Sequence, residues 1–109
     1  MLNRSHTAVV ELNRVWKGAF ETEPYEAAWA REAIFFVRVL ETTGPEQRAR
    51  VQISPDGMRW CDEGTEVSVP GEVGVSFAKV GHFGTYLRLA GELPEGVEVK
   101  VIVYLVLKE

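Results

Sequence analysis

Two histidines, one cysteine and a few clustered carboxylates are the residues here whose types best suit catalysis or metal binding. Nucleophilic chemistry needs a nucleophile, an adjacent base and a group that orients the base. Cys61 and His82 are the one conceivable thiol pair, and nothing in their spacing brings them together. The plainer reading makes Cys61 a small, half-buried residue beside Trp60, and makes His82, in Gly81-His82-Phe83-Gly84, a turn residue or hydrogen-bond donor. His6 lies near a terminus, ahead of the first apolar run. Asp56, Asp62 and Glu63 flank Trp60 and offer oxygens of the kind calcium takes, but the dense Asp-x-Asp-x-Asp-Gly loop is missing. Solvated turn carboxylates are the competing reading. No glycine-rich loop opens a helix, so phosphate binding has no support. The expectation is a protein that is not an enzyme, with no catalytic residues, no metal and no cofactor.

Aromatic residues carry more information. Tyr25, Trp29, Phe83 and Tyr86, with His82 among them, fall at strand ends or in loops, as do Trp16 and Trp60. Loop aromatics can stack on sugar rings or anchor a protein interface, and they also close the ends of a sandwich core. Arg88, inside Tyr86-Leu87-Arg88-Leu89, is expected to meet a carboxylate or carbonyl, in a structural ion pair or in a ligand site.

The elements that must position these residues are strands. Val97, Val99, Val101, Val103, Leu105 and Leu107 occupy alternate positions of the C-terminal segment, a period of two that commits one face to a core. The opposite face starts polar and turns apolar at Ile102, Tyr104 and Val106, which marks them as interface residues to be covered by chain or by another subunit. Ile34–Leu40 and Arg48–Ser54 alternate likewise, and the Thr43–Glu46 turn between them predicts an antiparallel hairpin. Ser54-Pro55-Asp56-Gly57 is the strongest turn signal: Pro presets φ, Asp bonds the backbone ahead and Gly supplies the left-handed position. Further strands are expected at Ala8–Trp16, Glu66–Val69, Val73–Val80 and Tyr86–Ala90. Thr22–Ala33 reads as a loop with at most one or two helical turns. Seven or eight short strands describe an all-β, antiparallel, jelly-roll-like β-sandwich, a single domain over residues 1–109.

Composition narrows the function classes. The 109 residues suffice for one core, and a net charge of -4 argues against phosphate neutralisation, hence against a nucleic-acid partner. A lone cysteine excludes an internal disulfide and a cysteine-rich zinc module. No run of 18 apolar residues and no leader-like segment is visible, so a cytoplasmic or assembly-associated protein without a membrane role is expected. Fourteen Glu and eight Arg beside only four Asn plus Gln hint at a thermophilic source. The N-terminal arm from Met1 is expected to pack on the molecule or on a neighbouring subunit.

Two stretches together resemble a known family. Val51-Gln52-Ile53-Ser54-Pro55-Asp56-Gly57-Met58-Arg59-Trp60 is similar to the strand–turn–strand of discoidin-like, coagulation-factor C-type (galactose-binding-like) domains. Phe83-Gly84-Thr85-Tyr86-Leu87-Arg88-Leu89 resembles a later strand of the same domains, in the same order. The resemblance covers about the middle third of the chain and implies a jelly-roll sandwich, while the family's terminal cysteine pair is absent. It carries over no binding residue, because the variable loops do not match. Two functions stay open. One is a self-assembling or structural subunit of capsid-like, decoration or scaffold type, a homo-oligomer joined at Ile102, Tyr104 and Val106. The other is a carbohydrate-binding module using Tyr25, Trp29, His82, Phe83 and Tyr86 to hold a glycan. If the protein assembles, the first and last strands are the expected contact elements, because exposed edges must be paired or protected.

Overall fold

The computed structural model describes residues 4–109. Residues 1–3, where the expected packing of the N-terminal arm begins, lie outside the described residues. Nine strands follow in order: β1 Ser5–Lys17, β2 Ala19–Glu21, β3 Tyr25–Glu26, β4 Glu32–Thr42, β5 Gln47–Ser54, β6 Cys61–Val69, β7 Gly74–Gly81, β8 Tyr86–Glu92 and β9 Glu98–Lys108. They form two antiparallel sheets, β1-β9-β4-β7 and β2-β8-β5-β6, with β3 also pairing β8. With β2 and β3 taken as one interrupted strand, the orders become 1-8-3-6 and 2-7-4-5. That is the wiring of a jelly roll, so the expected fold class stands.

The period-two alternation explains which side of each strand is buried. Val99, Val101, Val103, Leu105 and Leu107 of β9 meet Phe35, Val37 and Val39 of β4 on the inner face of the first sheet. Ala49 and Val51 of β5, Leu87 and Leu89 of β8, and Val67 and Val69 of β6 come from the second. The sheets bury these rows against each other, which is the core. One end is closed by Trp16 stacked on Phe20, with ring centroids 4.0 Å apart. Phe20 lies over Gly91 on β8, where a Cβ would come within 2.7 Å of its ring, so this close seat needs glycine.

Three sequence expectations need correction. Ile34–Leu40 and Arg48–Ser54 do not form a hairpin: β4 belongs to the first sheet and β5 to the second. The Thr43–Glu46 turn instead carries the chain across the sandwich and is tied to the start of β9. The Thr43 N–H donates to the Glu98 carbonyl at 3.0 Å, and the Glu98 N–H donates to Thr43 Oγ1 at 2.9 Å. Second, the last strand is not an edge, because β9 lies between β1 and β4. Third, Cys61 is exposed rather than half-buried; its thiol points to the Ile53 carbonyl at 3.7 Å.

Within Thr22–Ala33 the chain adds the two-residue β3 and one turn closed by the Ala30 N–H on the Ala27 carbonyl, with no helix. The Ser54–Gly57 turn forms as expected and joins β5 to β6. β1 is an edge strand, and irregularities between Val9 and Arg14 interrupt its pairing, with Asn13 at φ 53°. Such bulges blunt an edge against further strand addition. There Glu11 turns inward and accepts the Glu23 N–H at 3.0 Å, tying the first sheet to the loop after β2.

Candidate functional site

The loop residues singled out in the sequence gather at one end of the sandwich, since Glu32 pairs with Gly81 and Lys108, and Tyr86 with Glu26 and Ser54. They do not form one site. Tyr25 and Trp29 line a shallow hollow of about 450 Å³ with Arg4, Ser5 and His6. His82 and Phe83 line another, of about 370 Å³, with Ala30 and Arg31. Tyr86 stands apart, its ring in reach of Gly57 in the β5–β6 turn. The Arg4 guanidinium lies 4.5 Å over the Trp29 ring and is held there by Glu109 at 3.0 Å. Arg88 covers Trp60 in the same way at 4.2 Å, and Trp16 is stacked on Phe20. One face of every indole is therefore already taken, in each case by a residue of the same chain.

The reactive side chains are equally dispersed. No hydrogen bond among the described residues links Cys61 to His82. Asp56 is consumed by its own turn: the Arg59 and Met58 N–H groups both reach Oδ1 at 2.9 Å, and the Arg59 guanidinium reaches Oδ2 at 2.7 Å. These donors, the Arg59 N–H foremost, hold the carboxyl well below the usual carboxylate range. Asp62 accepts from the Gln52 amide at 2.9 Å, and Glu63 from the Thr65 N–H at 3.0 Å. The three carboxylates thus serve three separate local structures.

The outer faces of the two sheets differ in kind. The outer face of β2-β8-β5-β6 is laced with ion pairs. Arg50 grips Glu92 at 2.7 Å and reaches Asp62 at 3.4 Å, while Arg88 pairs with Glu21 at 3.0 Å and donates its Nε–H to Gln52 Oε1 at 2.8 Å. Hydrogen bonding to Arg50 lowers the Glu92 pKa, and Glu92 in turn raises that of Arg50. This is a solvated surface whose charges are answered within the chain.

The outer face of β1-β9-β4-β7 is apolar instead. Cross-strand register places Val9, Tyr104, Phe36 and Phe77 in one row spanning all four strands. The row beside it holds Thr7, Val106, Ile34 and Lys79; on the other side stand Ile102, Arg38 and Val75. Phe36 and Phe77 touch, with ring centroids 6.0 Å apart. Val9 is 53% exposed, Val75 60% and Phe77 58%, values that belong to a surface with no layer over it. Ile102, Tyr104 and Val106 are half-buried by their neighbours alone.

Charges frame these rows. Lys100 stands opposite Glu41 at one end of the face, past the β4 bulge at Leu40, and Lys108 stands opposite Glu32 at the other. Among the described residues none of Arg38, Lys79, Lys100, Lys108, Glu32 and Glu41 makes an ion pair. All four lysines of the chain lie on this face, Lys17 among them opposite Glu98. Sequence reading found only the β9 share of it. Its β4 share was signalled by Ile34-Phe35-Phe36-Val37, a run apolar on both sides of the strand, which is how a strand covered on two faces reads. Phe77 and Val75 gave the matching signal in β7. No protein-family model matches the chain, and no curated protein matches it.

Proposed function

We propose that the chain is a non-enzymatic, self-assembling β-sandwich subunit of capsid-like, decoration or scaffold type. The observation that carries this reading is the bare apolar face of β1-β9-β4-β7 beside an opposite face whose charges are paired internally. At a strand spacing of about 4.8 Å and about 6.8 Å per row, three rows across four strands cover roughly 400 Å². The apolar positions make up roughly 270 Å² of that, close to the lower end of the roughly 300–600 Å² typical of the largest apolar patch on a monomer, a patch that is often functional. With the flanking charged rows the footprint approaches the roughly 800 Å² that each partner buries in a standard interface. About two thirds of the central positions are apolar, so pairing two faces removes roughly 500 Å² of apolar surface, worth about 13 kcal/mol. Association costs roughly 4–15 kcal/mol, so the apolar rows balance it and the rim charges set the margin.

In this reading the protein belongs with discoidin-like (galactose-binding-like) sandwiches. Support comes from the Ser54–Gly57 turn leading to Trp60 and from the β8 strand that carries Arg88 over that indole. Carbohydrate binding is the second reading, and the hollow between Tyr25 and Trp29 beside Arg4 and His6 favours it. It is the weaker one, because Arg4 occupies the Trp29 face a sugar ring would use. Light scattering in solution tests the first reading: a mass at a multiple of 12.2 kDa is expected, and a strict monomer overturns it. A glycan array with reproducible hits that vanish in Trp29→Ala would favour the second.

A further inference from the structure

The apolar face has an internal symmetry that points to its occupant. Each end carries a lysine on β9 directly opposite a glutamate on β4: Lys100 with Glu41, and Lys108 with Glu32. Between these ends Tyr104 of β9 stands opposite Phe36 of β4, and Val106 opposite Ile34. At both of these positions the β9 side of the face is therefore basic and the β4 side acidic; beyond Lys100, the Glu98 carboxylate is already paired with Lys17 of β1 at 3.8 Å.

We infer that this face pairs with the same face of a second copy, about a two-fold axis that runs parallel to the strands between β4 and β9. The inference rests on the self-assembly reading above and specifies its contact. A rotation of 180° about that axis keeps every row at its own height and exchanges the two strands. Lys100 of one copy then meets Glu41 of the other, and Lys108 meets Glu32, each pair occurring twice. Tyr104 packs on Phe36 in the centre, and Val9 of β1 comes over Phe77 of β7. Arg38, the one charge among the apolar rows of β4, comes over Ile102 and next to the Tyr104 ring, whose face accepts a guanidinium. The interface is isologous, as a closed two-fold dimer requires. Twisted sheets stack at about 30° to one another, and the long lysine and glutamate side chains span the offset this produces at the ends.

The competing two-fold axis, perpendicular to the strands, fails on charge. It would set Lys100 against Lys108 and Glu41 against Glu32, and like charges brought together oppose association. Two copies of the β2-β8-β5-β6 face have no comparable reason to meet, because Arg50, Arg88, Glu92 and Glu21 already answer one another.

Two experiments test the pairing. In the first, Lys100→Glu/Lys108→Glu makes an all-acidic end set, and Glu32→Lys/Glu41→Lys makes an all-basic one. Each variant alone is expected to self-associate roughly tenfold or more weakly than wild type, and their equimolar mixture to recover dimers of one copy of each. Variants that self-associate like wild type, or a mixture that stays monomeric, overturn the pairing. All four substitutions lie at the rim; the single variants Lys100→Glu and Glu41→Lys serve if a double variant loses its β-sheet circular dichroism. The second experiment uses the unmodified chain. Its dimer dissociation constant should rise severalfold as sodium chloride increases, because the facing charges are opposite. A dimer that tightens with salt overturns this axis while leaving self-assembly intact. A wild type that is monomeric throughout overturns both readings. If that monomer instead sediments with phosphatidylglycerol vesicles, the face belongs to an anionic lipid surface, and the pairing is wrong.

Discussion

Asp56 accepts two backbone N–H groups and a guanidinium within its own turn, a local arrangement with a measurable pH signature. Its folded pKa is depressed, so its stabilisation is fully present above the unfolded value of about 3.9. It is lost as pH falls through the lower folded value. Denaturant titrations of wild type and Asp56→Asn should therefore diverge most near neutral pH and converge between pH 4 and strong acid. A gap that stays constant over that range would mean that Asp56 does not hold the turn as an anion. Legibility at this scale follows bonding range. The Ser54-Pro55-Asp56-Gly57 turn was readable because Asp56 finds its partners within three residues. The cover that Arg4 and Arg88 give to Trp29 and Trp60 joins residues 25 or more positions apart, so the aromatics were visible while their occupied faces were not.

Strands were read well, because alternation is a property of each strand alone. Partners were read less well. The Thr43–Glu46 turn has hairpin chemistry, yet Gly44 packs under Val97 and the turn leads from one sheet to the other. A Cβ on Gly44 would lie 2.8 Å from both Val97 methyl groups. Gly44→Ala should accordingly cost about 1–3 kcal/mol through overpacking, and Val97→Ala in the same chain should return part of it. Strictly additive losses in a double-mutant cycle would show that the two residues do not touch. The sheet face was half legible for a related reason. Ile102, Tyr104 and Val106 announced themselves in β9, but only strand order aligns them with Phe36, Phe77 and Val9.

At the scale of the molecule, the jelly-roll wiring places the most apolar strands, β4 and β9, side by side in the middle of one sheet. Each has a buried face for the core and a second apolar face directed outward. Tyr104→Glu introduces a charge at the centre of that outer face, away from the core. It should cost folding about 1 kcal/mol while abolishing association. The mass in solution of wild type beside Tyr104→Glu, by sedimentation equilibrium, tests this most directly. Wild type is expected at a multiple of 12.2 kDa, and the variant at 12.2 kDa with its β-sheet circular dichroism unchanged. A wild type that remains at 12.2 kDa up to millimolar concentration, or a Tyr104→Glu variant that assembles like wild type, would contradict the account.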